Sequence, residues 1–351
     1  MNYAQTLSKL IDRHNLAFTE MRELIAAIMG GQLTPAQIAA VLIALRVKGE
    51  TVDEIAAAAQ VMRELSTKVN AKSGAHLVDT CGTGGDGAQT FNISTASAFV
   101  AAAAGAQVAK HGGRSVSSTC GSADVLEKLG VNVNLTPEQV AQCVNQIGIG
   151  FMFAPNHHNS MKHAAPVRRE LGVRTLFNLL GPLTNPAGAK NQVIGVFHRD
   201  LTTRLAQVLQ QLGSQHVLVV HGADSMDEIS ISGATHIAEL NNGKISEYTV
   251  QPQDFGLHIS PLNSIRVNNA DEARSMLSAV LDNQQGAARD IVQLNAGAAI
   301  YVAGLSHTLA EGIKKAGQFI ANGTAKKKLE QLVELSSSFN SNLANQLDAA
   351  K

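Results

Sequence analysis

From His76 to Gly222 short apolar runs alternate with helical segments, and this alternation restricts the fold more than any other feature of the chain. The runs are HLVD (76–79), QVAK (107–110), VNV (131–133), IGFMF (149–153), VIGVF (193–197) and HVLVVHG (216–222). Between most of them lie TASAFVAAAAG, SADVLEKLG, TPEQVAQCVNQIG and LTTRLAQVLQQLG, whose apolar residues recur at helical spacing. Strands joined through helices run parallel, so the pattern predicts a mostly parallel sheet with helices on both faces. THIAELNNGKISEYTV (235–250) predicts a hairpin turned at Asn242-Gly243, added antiparallel. The last 80 residues return to helix.

Ahead of the alternation the chain reads as helix throughout. Thr34-Pro35 places an N-cap before a proline at the first helical position, and Thr51 with Glu54 forms a capping box. Ile38, Ala40, Val41, Ile43 and Ala44 leave this region apolar on more than one face. That fits internal bundle packing or a subunit interface. The expectation is an α/β protein: a small all-helical N-terminal domain (1–72) and a larger domain (73–351) with a mostly parallel central sheet flanked by helices.

Composition removes several functions. With 351 residues, 45% of them hydrophobic, the chain can bury one large core or two smaller ones. The 28 basic residues balance 28 acidic ones, which speaks against nucleic acid as a partner. Aromatic residues make up 4% with no Trp, leaving little to stack single-stranded bases. Cys81, Cys120 and Cys143 form no CxxC pair and suit a reduced compartment. The polar N-terminus and the lack of a long apolar run predict no secretory signal, no membrane association and a cytoplasmic location.

Two glycine-rich loops carry the chemistry. In VDTCGTGGDGAQTFNIST, Gly82, Gly84 and Gly87 satisfy G-x-G-x-x-G. A dinucleotide site is rejected, because Ala88–Ser94 separate the glycines from the helix and no Asp or Glu occurs between Gly87 and Asp124 to hold a ribose diol. Glycines still let backbone N–H groups approach an anion, and a helix N-terminus adds partial positive charge. Ser94 and Thr95, at the expected helix start, are either plain N-caps or ligands of that anion. The second loop, KHGGRSVSS (110–118), also follows a short strand and concentrates Lys110, Arg114, Ser117 and Ser118. Consecutive parallel strands deliver such loops to one edge, where both would converge on a polyanion.

Asp224, Asp227 and Glu228 follow HVLVVHG and so belong to the same edge. They form either a solvated turn or, beside a phosphate site, a place for Mg²⁺ bridging carboxylates and phosphate oxygens. Asp86 could orient a ribose hydroxyl or a metal-bound water. His157, His158 and His163 lack the companions of a zinc set. Cys81 has no paired base and reads as a small residue at a strand end.

GTGGD (82–86), NIST (92–95), KHGxRSxSS (110–118), RRELGVRTLFNLLGPLTNP (168–186) and MDE (226–228) occur together in this order. Over nearly the whole chain they resemble the anthranilate phosphoribosyltransferases, Mg²⁺-dependent glycosyltransferases of tryptophan biosynthesis. GTGGD and KHG are shared in looser form with pyrimidine nucleoside phosphorylases. The resemblance implies transfer of the phosphoribosyl group of 5-phosphoribosyl 1-diphosphate to the amine of anthranilate, without a covalent enzyme intermediate. It implies a homodimer through the helical domain, to which residues near 165–185 contribute. Gly82, Gly85, Asp86, Thr90, Asn92, Ser94, Thr95, Lys110, Ser118 and Ser122 would bind phosphoribosyl diphosphate, with Ile93, His111, Gly112, Gly113, Arg114, Ser115 and Ser117 beside them. Ser94, Asp227 and Glu228 would hold the metal. Arg168 would meet the anthranilate carboxylate, and Gly82, His111 and Gly113 would line the acceptor path. The chain departs from the family at Gly113, where most members have Asn, and at HHNSM (157–161), where many have Pro-Ala. The rivals are a nucleoside phosphorylase, which needs no metal on a diphosphate, and a non-catalytic nucleic-acid-binding relative.

Overall fold

The helices begin where their caps place them. In the computed structural model, which describes residues 2–72, 74, 76–114 and 120–349 with side chains to 339, four helices come first. They are α1 (Tyr3–Ile11), α2 (Phe18–Met29), α3 (Pro35–Lys48) and α4 (Val52–Leu65). The side chains of Thr34 and Thr51 accept from the N–H groups of Gln37 and Glu54, whose own side chains reach back to close both capping boxes. Glu54 also receives the Leu16 N–H (2.9 Å) and the Lys48 ammonium (2.8 Å), so a buried carboxylate is fully engaged.

The chain then alternates: β1 (Leu77–Gly82), α5 (Ile93–Ala103), β2 (Gln107–Gly112), α6 (Ser122–Lys128), α7 (Pro137–Ile147), β3 (Ile149–Phe153). Two short turns, α8 (Ala154–His157) and a 3₁₀ segment, lead to α9 (Ala165–Leu171) and α10 (Phe177–Leu180). β4 (Asn191–Gly195), α11 (Leu201–Gln211), β5 (His216–Gly222), β6 (Thr235–Asn241) and β7 (Lys244–Val250) complete the sheet. α12 (Ala270–Leu281), α13 (Ala287–Val302), α14 (Leu309–Ala321) and α15 (Thr324–Ala349) close the chain. In α13, Gly297 lets the backbone of Ile313 approach to where a Cβ would stand 2.4 Å away, so α13 and α14 pack closely.

Among the described residues the strands form one sheet in the order β3-β2-β1-β4-β5-β6-β7. β3 to β5 are mutually parallel, and β6 and β7 are the expected antiparallel hairpin. VNV (131–133) is not a strand, which corrects the sequence reading. Val131 and Val133 are buried, but the Asn132 N–H donates to Ser336 Oγ of α15 (3.1 Å) instead of a ladder. The alternation of Val131 and Val133 therefore records burial beneath a helix and not a place in the sheet.

One hydrophobic cluster fills the sheet face under α5, α13 and the C-terminal helices. The other runs from α1–α4 through Val167, Leu176, Phe177 and Leu183 to α11 and the opposite sheet face. The helical bundle therefore shares its core with the sheet. Arg63 of α4 reinforces the junction by donating to the Leu183 carbonyl (2.6 Å).

Candidate active site

β1 has β2 on one flank and β4 on the other, and the chain builds outward through β2 and β3 before returning to β4. The loops leaving β1 and β4 therefore diverge and open a crevice at the C-terminal edge, the usual ligand site of such sheets. At its floor Gly82 pairs in register with Gly195. Asp227 lies across both: a Cβ on Gly82 would stand 2.1 Å from Asp227 Oδ2, and one on Gly195 1.5 Å from the Asp227 carbonyl oxygen. Any side chain at either position would displace the acidic loop.

The first loop wraps this acid. Gly84, Gly85 and Gly87 take left-handed φ values of 68°, 74° and 74°, which residues with a Cβ rarely adopt. The Gly84 N–H donates to Asp227 Oδ2 (2.7 Å), and the Asp227 N–H reaches Asp86 Oδ2 (3.4 Å). At the start of α5 the Ser94 backbone N–H lies near Glu228 and favours its charged form. Asp86, Asp227 and Glu228 thus face one another. Burial first, and Asp86 second, push the Asp227 carboxyl up to about 7, while burial and Asp227 push Glu228 well above the usual carboxylate range. The Lys110 ammonium, itself buried, donates to the Thr80 carbonyl and to Ser94 Oγ (3.1 Å) and offsets part of this charge.

Crowded acids with one lysine suit a hard divalent cation. Among the described residues no three His, Cys, Asp or Glu side chains form a ready metal cage. The donor set fits Mg²⁺ shared between a few protein oxygens, water and phosphate. Asp224 does not join these acids. It accepts from the Met226 N–H (3.2 Å), from Ser230 Oγ (2.7 Å) and from Ser232 Oγ, and so shapes its own loop; Asp86 takes its place in the cluster.

The second loop meets the first. Gly112 lets Ser122 come close: a Cβ there would stand 2.2 Å from Ser122 Oγ and 3.0 Å from the Phe151 ring, and the serine would have to move. The Gly113 carbonyl accepts from the Ala123 N–H (3.1 Å) and Ser122 Oγ (3.4 Å), while no atom of the described residues would lie within 4 Å of a Cβ on Gly113. Asn92 Nδ2 donates to the Cys120 carbonyl (3.1 Å), joining the two loops. Asn92 Oδ1 and Thr95 Oγ1 are buried without a hydrogen-bond partner among the described residues, a cost that a ligand would relieve. The Ile93 side chain lies in the core, so only its backbone can serve the crevice. Thr90 sits on an isolated bridge to Arg266 beside it. Arg114 turns away: its guanidinium is held by Asp124 (2.9 Å) and Glu127 (2.7 and 2.8 Å) and lies 5.6 Å from the Phe153 ring. Ser115, Ser117 and Ser118 lie outside the described residues.

On the other side of β2, the His111 N–H donates to Asp79 Oδ1 (3.1 Å), and Asn185 holds Asp79 Oδ2 (2.7 Å). The His111 ring lies 5.1 Å from that of His158, and its Nε2 has no partner among the described residues. Burial, then the neighbouring His158 and His157, push its imidazole down to about 3, so the ring is neutral near pH 7. Arg168 in α9 lies 5.5 Å from the Phe177 ring, its guanidinium pushed down by burial, and no acceptor among the described residues binds it. A shielded guanidinium with no partner among the described residues suits a carboxylate. The thiol of Cys81 is driven up by burial and by Asp79, which leaves it unreactive.

Three participants escaped the sequence reading: Asn185, which orients Asp79 beneath His111; His158 against His111; and Arg174, which binds the first loop. Asn185 and Arg174 lie inside RTLFNLLGPLTNP, and that motif was the signal available for both.

Residues 4–66 match the family model described as glycosyl transferase family, helical bundle domain, and residues 74–326 match glycosyl transferase family, a/b domain. The anthranilate phosphoribosyltransferase of Nitrosomonas europaea is 60% identical over 336 residues, covering 96% of this chain and 98% of that protein. The crystal structure of the Thermus thermophilus anthranilate phosphoribosyltransferase superposes with a TM-score of 0.90 at 40% identity, over 96% of this chain and 100% of that one. The Saccharomyces cerevisiae enzyme in complex with PRPP and Mg gives 0.87 at 27% identity, over 96% and 98% of the two chains.

Proposed function

We propose how the residues divide the work in this chain, which belongs to the anthranilate phosphoribosyltransferase family and transfers the phosphoribosyl group of 5-phosphoribosyl 1-diphosphate to the anthranilate amine, releasing diphosphate. The reaction is a step of tryptophan biosynthesis and uses Mg²⁺. The observation that carries the assignment is the meeting of Asp86 and Asp227 with the glycine-rich loop that leaves β1, to which the loop leaving β2 is joined through Lys110–Ser94 and Asn92–Cys120. The diphosphate lies along residues 82–87 and the start of α5, where backbone N–H groups and the helix N-terminus favour negative charge. Asn92 Oδ1 and Thr95 Oγ1 receive partners there. Ser94, Asp227 and Glu228 would hold Mg²⁺, which supplies positive charge to the departing diphosphate when bound. Lys110 stays beneath the loops and keeps Ser94 and the acids in place.

Arg168 pairs with the anthranilate carboxylate and aims the amine at the anomeric carbon. The aromatic amine is neutral near pH 7, so no strong base is required to make it nucleophilic. His111, itself neutral and buried, suits an acceptor path that must not compete for protons. The demanding event is charge separation as the C–O bond to diphosphate breaks. Alignment of the amine and fixed dipoles around the leaving group are the chain's contribution. Neither Cys81 nor any other group is needed as a covalent nucleophile.

We further infer a homodimer through the helical domain (1–72), distinct in role from the substrate-binding domain (73–351). Leu7, Ile11, Ala40, Ile43, Ala44 and Val47 line an apolar groove on α1 and α3, with Ile11 65% and Val47 64% exposed. Sedimentation is expected to give twice the chain mass. For the reaction, mixing enzyme, 5-phosphoribosyl 1-diphosphate, Mg²⁺ and anthranilate is expected to abolish anthranilate fluorescence. Persistent fluorescence, with phosphorolysis of a pyrimidine nucleoside instead, would move the assignment to the phosphorylases.

A further inference from the structure

We propose that Arg174 is a positioning residue that holds the first glycine-rich loop in the shape that receives the diphosphate. The proposal rests on assigning residues 82–87 to that group. Gly84 and Gly85 are left-handed and offer no side chains by which the fold could anchor them. Their backbones are pinned instead. On one side the Gly84 N–H is held by Asp227 (2.7 Å), and on the other the Arg174 guanidinium donates to the Gly85 carbonyl. Arg174 is itself fixed by stacking 4.1 Å over the Phe197 ring. Phe197 belongs to the same assembly, because its N–H donates to Thr83 Oγ1 (3.2 Å) and the Thr83 N–H donates to the Gly195 carbonyl (2.9 Å). The clamp thus runs from Arg174 through Phe197 to Thr83 and back to the crevice floor.

The arginine's position in the chain gives it a second use. It follows Gly172, the left-handed residue (φ 62°) that ends α9, and α9 carries Arg168. One short segment therefore reaches both the acceptor's carboxylate site and the donor's loop. The Arg174 guanidinium meets a carbonyl and no carboxylate among the described residues, so its charge also raises the potential beside the diphosphate. Without the clamp a loop of left-handed glycines samples more conformations, and ordering it on binding weakens the apparent affinity. The loss should appear in the binding of the phosphoribosyl donor and not in the chemical step.

The test measures steady-state KM for both substrates, kcat and Tm in Arg174→Ala, Arg174→Lys and the loop control Gly84→Ala, which forces a Cβ into a left-handed position. Arg174→Ala is expected to raise KM for 5-phosphoribosyl 1-diphosphate roughly three- to tenfold, the scale of one solvent-accessible charge-assisted hydrogen bond. Its kcat, its KM for anthranilate and its Tm should stay close to wild type. Arg174→Lys should recover part of the loss, since it keeps a charged donor but not the planar stack on Phe197. A donor KM unchanged in Arg174→Ala but raised in Gly84→Ala overturns the proposal and leaves the loop assignment standing. A donor KM unchanged in both overturns the loop assignment as well. Equal rises in both KM values with a lowered Tm would make Arg174 a general structural residue and overturn it too.

Discussion

Asp227→Asn should remove most of the activity and make the free protein more stable. The carboxyl is held at about 7 against its ordinary 3.8, because it is buried beside Asp86. At face value that gap is worth ~4 kcal/mol against the charged form. Asn keeps the shape and an acceptor for the Gly84 N–H, and its amide can donate to Asp86. Local relaxation around the buried pair takes up part of this penalty, so the gain expected at pH 8 without metal is about 1–2 kcal/mol, or a rise in Tm of ~2–4 °C. The sign follows from protonation: the folded value lies above the unfolded one, so the charged group weakens the fold as pH rises from about 3.8 to about 7. The stability gain should therefore be complete above pH 7 and vanish near pH 4. Turnover with saturating Mg²⁺ and both substrates should fall roughly 10²–10³-fold, the scale of one lost transition-state electrostatic contact. Anthranilate fluorescence reads the turnover, and calorimetric scans in chelator read the stability. Wild-type turnover, or a lower Tm at pH 8, would refute the reasoning.

Gly113→Asn should lower KM for anthranilate a few-fold by the same fluorescence assay, because no described residue crowds a Cβ there and the Gly113 φ is not left-handed. An unchanged or raised KM would mean that the backbone already serves the acceptor there. Glu239 of β6 tests the fold away from the crevice: burial pushes its carboxyl up, but hydrogen bonds from His216 (2.8 Å), Tyr248 (2.8 Å) and Tyr301 (2.9 Å) outweigh it and leave the group below its ordinary value. A depressed carboxyl stabilises above its ordinary value and ceases to do so as pH falls through its folded one, so Glu239→Gln should cost about 1–3 kcal/mol at pH 7 and less below pH 4, as denaturation at the two pH values will show.

The parallel sheet was legible because HLVD (76–79), QVAK (107–110) and HVLVVHG (216–222) are short, mostly apolar runs with glycine at or soon after their ends, and strand and turn signals agreed. VNV misled because alternation of Val131 and Val133 reports burial without reporting which element does the covering; here it is α15, some 200 residues later. The acids Asp227 and Glu228 could be placed at the strand edge, yet the same pattern drew in Asp224, whose hydroxyl partners Ser230 and Ser232 become visible only in three dimensions. By its neighbours in sequence Arg114 reads as an anion donor. Its carboxylate partners stand on the next helix, at helical spacing i and i+3, where they meet one guanidinium. Arg168 could be assigned only through the resemblance, since nothing in its local sequence says that its guanidinium is shielded and unpartnered.

The central claim is that donor and acceptor meet in the crevice between β1 and β4, with Glu228 serving the diphosphate side and Arg168 the anthranilate side. It is tested most directly by the KM values of both substrates in Glu228→Gln and Arg168→Gln. Glu228→Gln should weaken Mg²⁺-dependent use of 5-phosphoribosyl 1-diphosphate with little change in KM for anthranilate, and Arg168→Gln should raise KM for anthranilate roughly tenfold or more with the donor KM unchanged. An Arg168→Gln enzyme whose anthranilate KM is that of the wild type, or whose donor KM rises instead, would contradict the account.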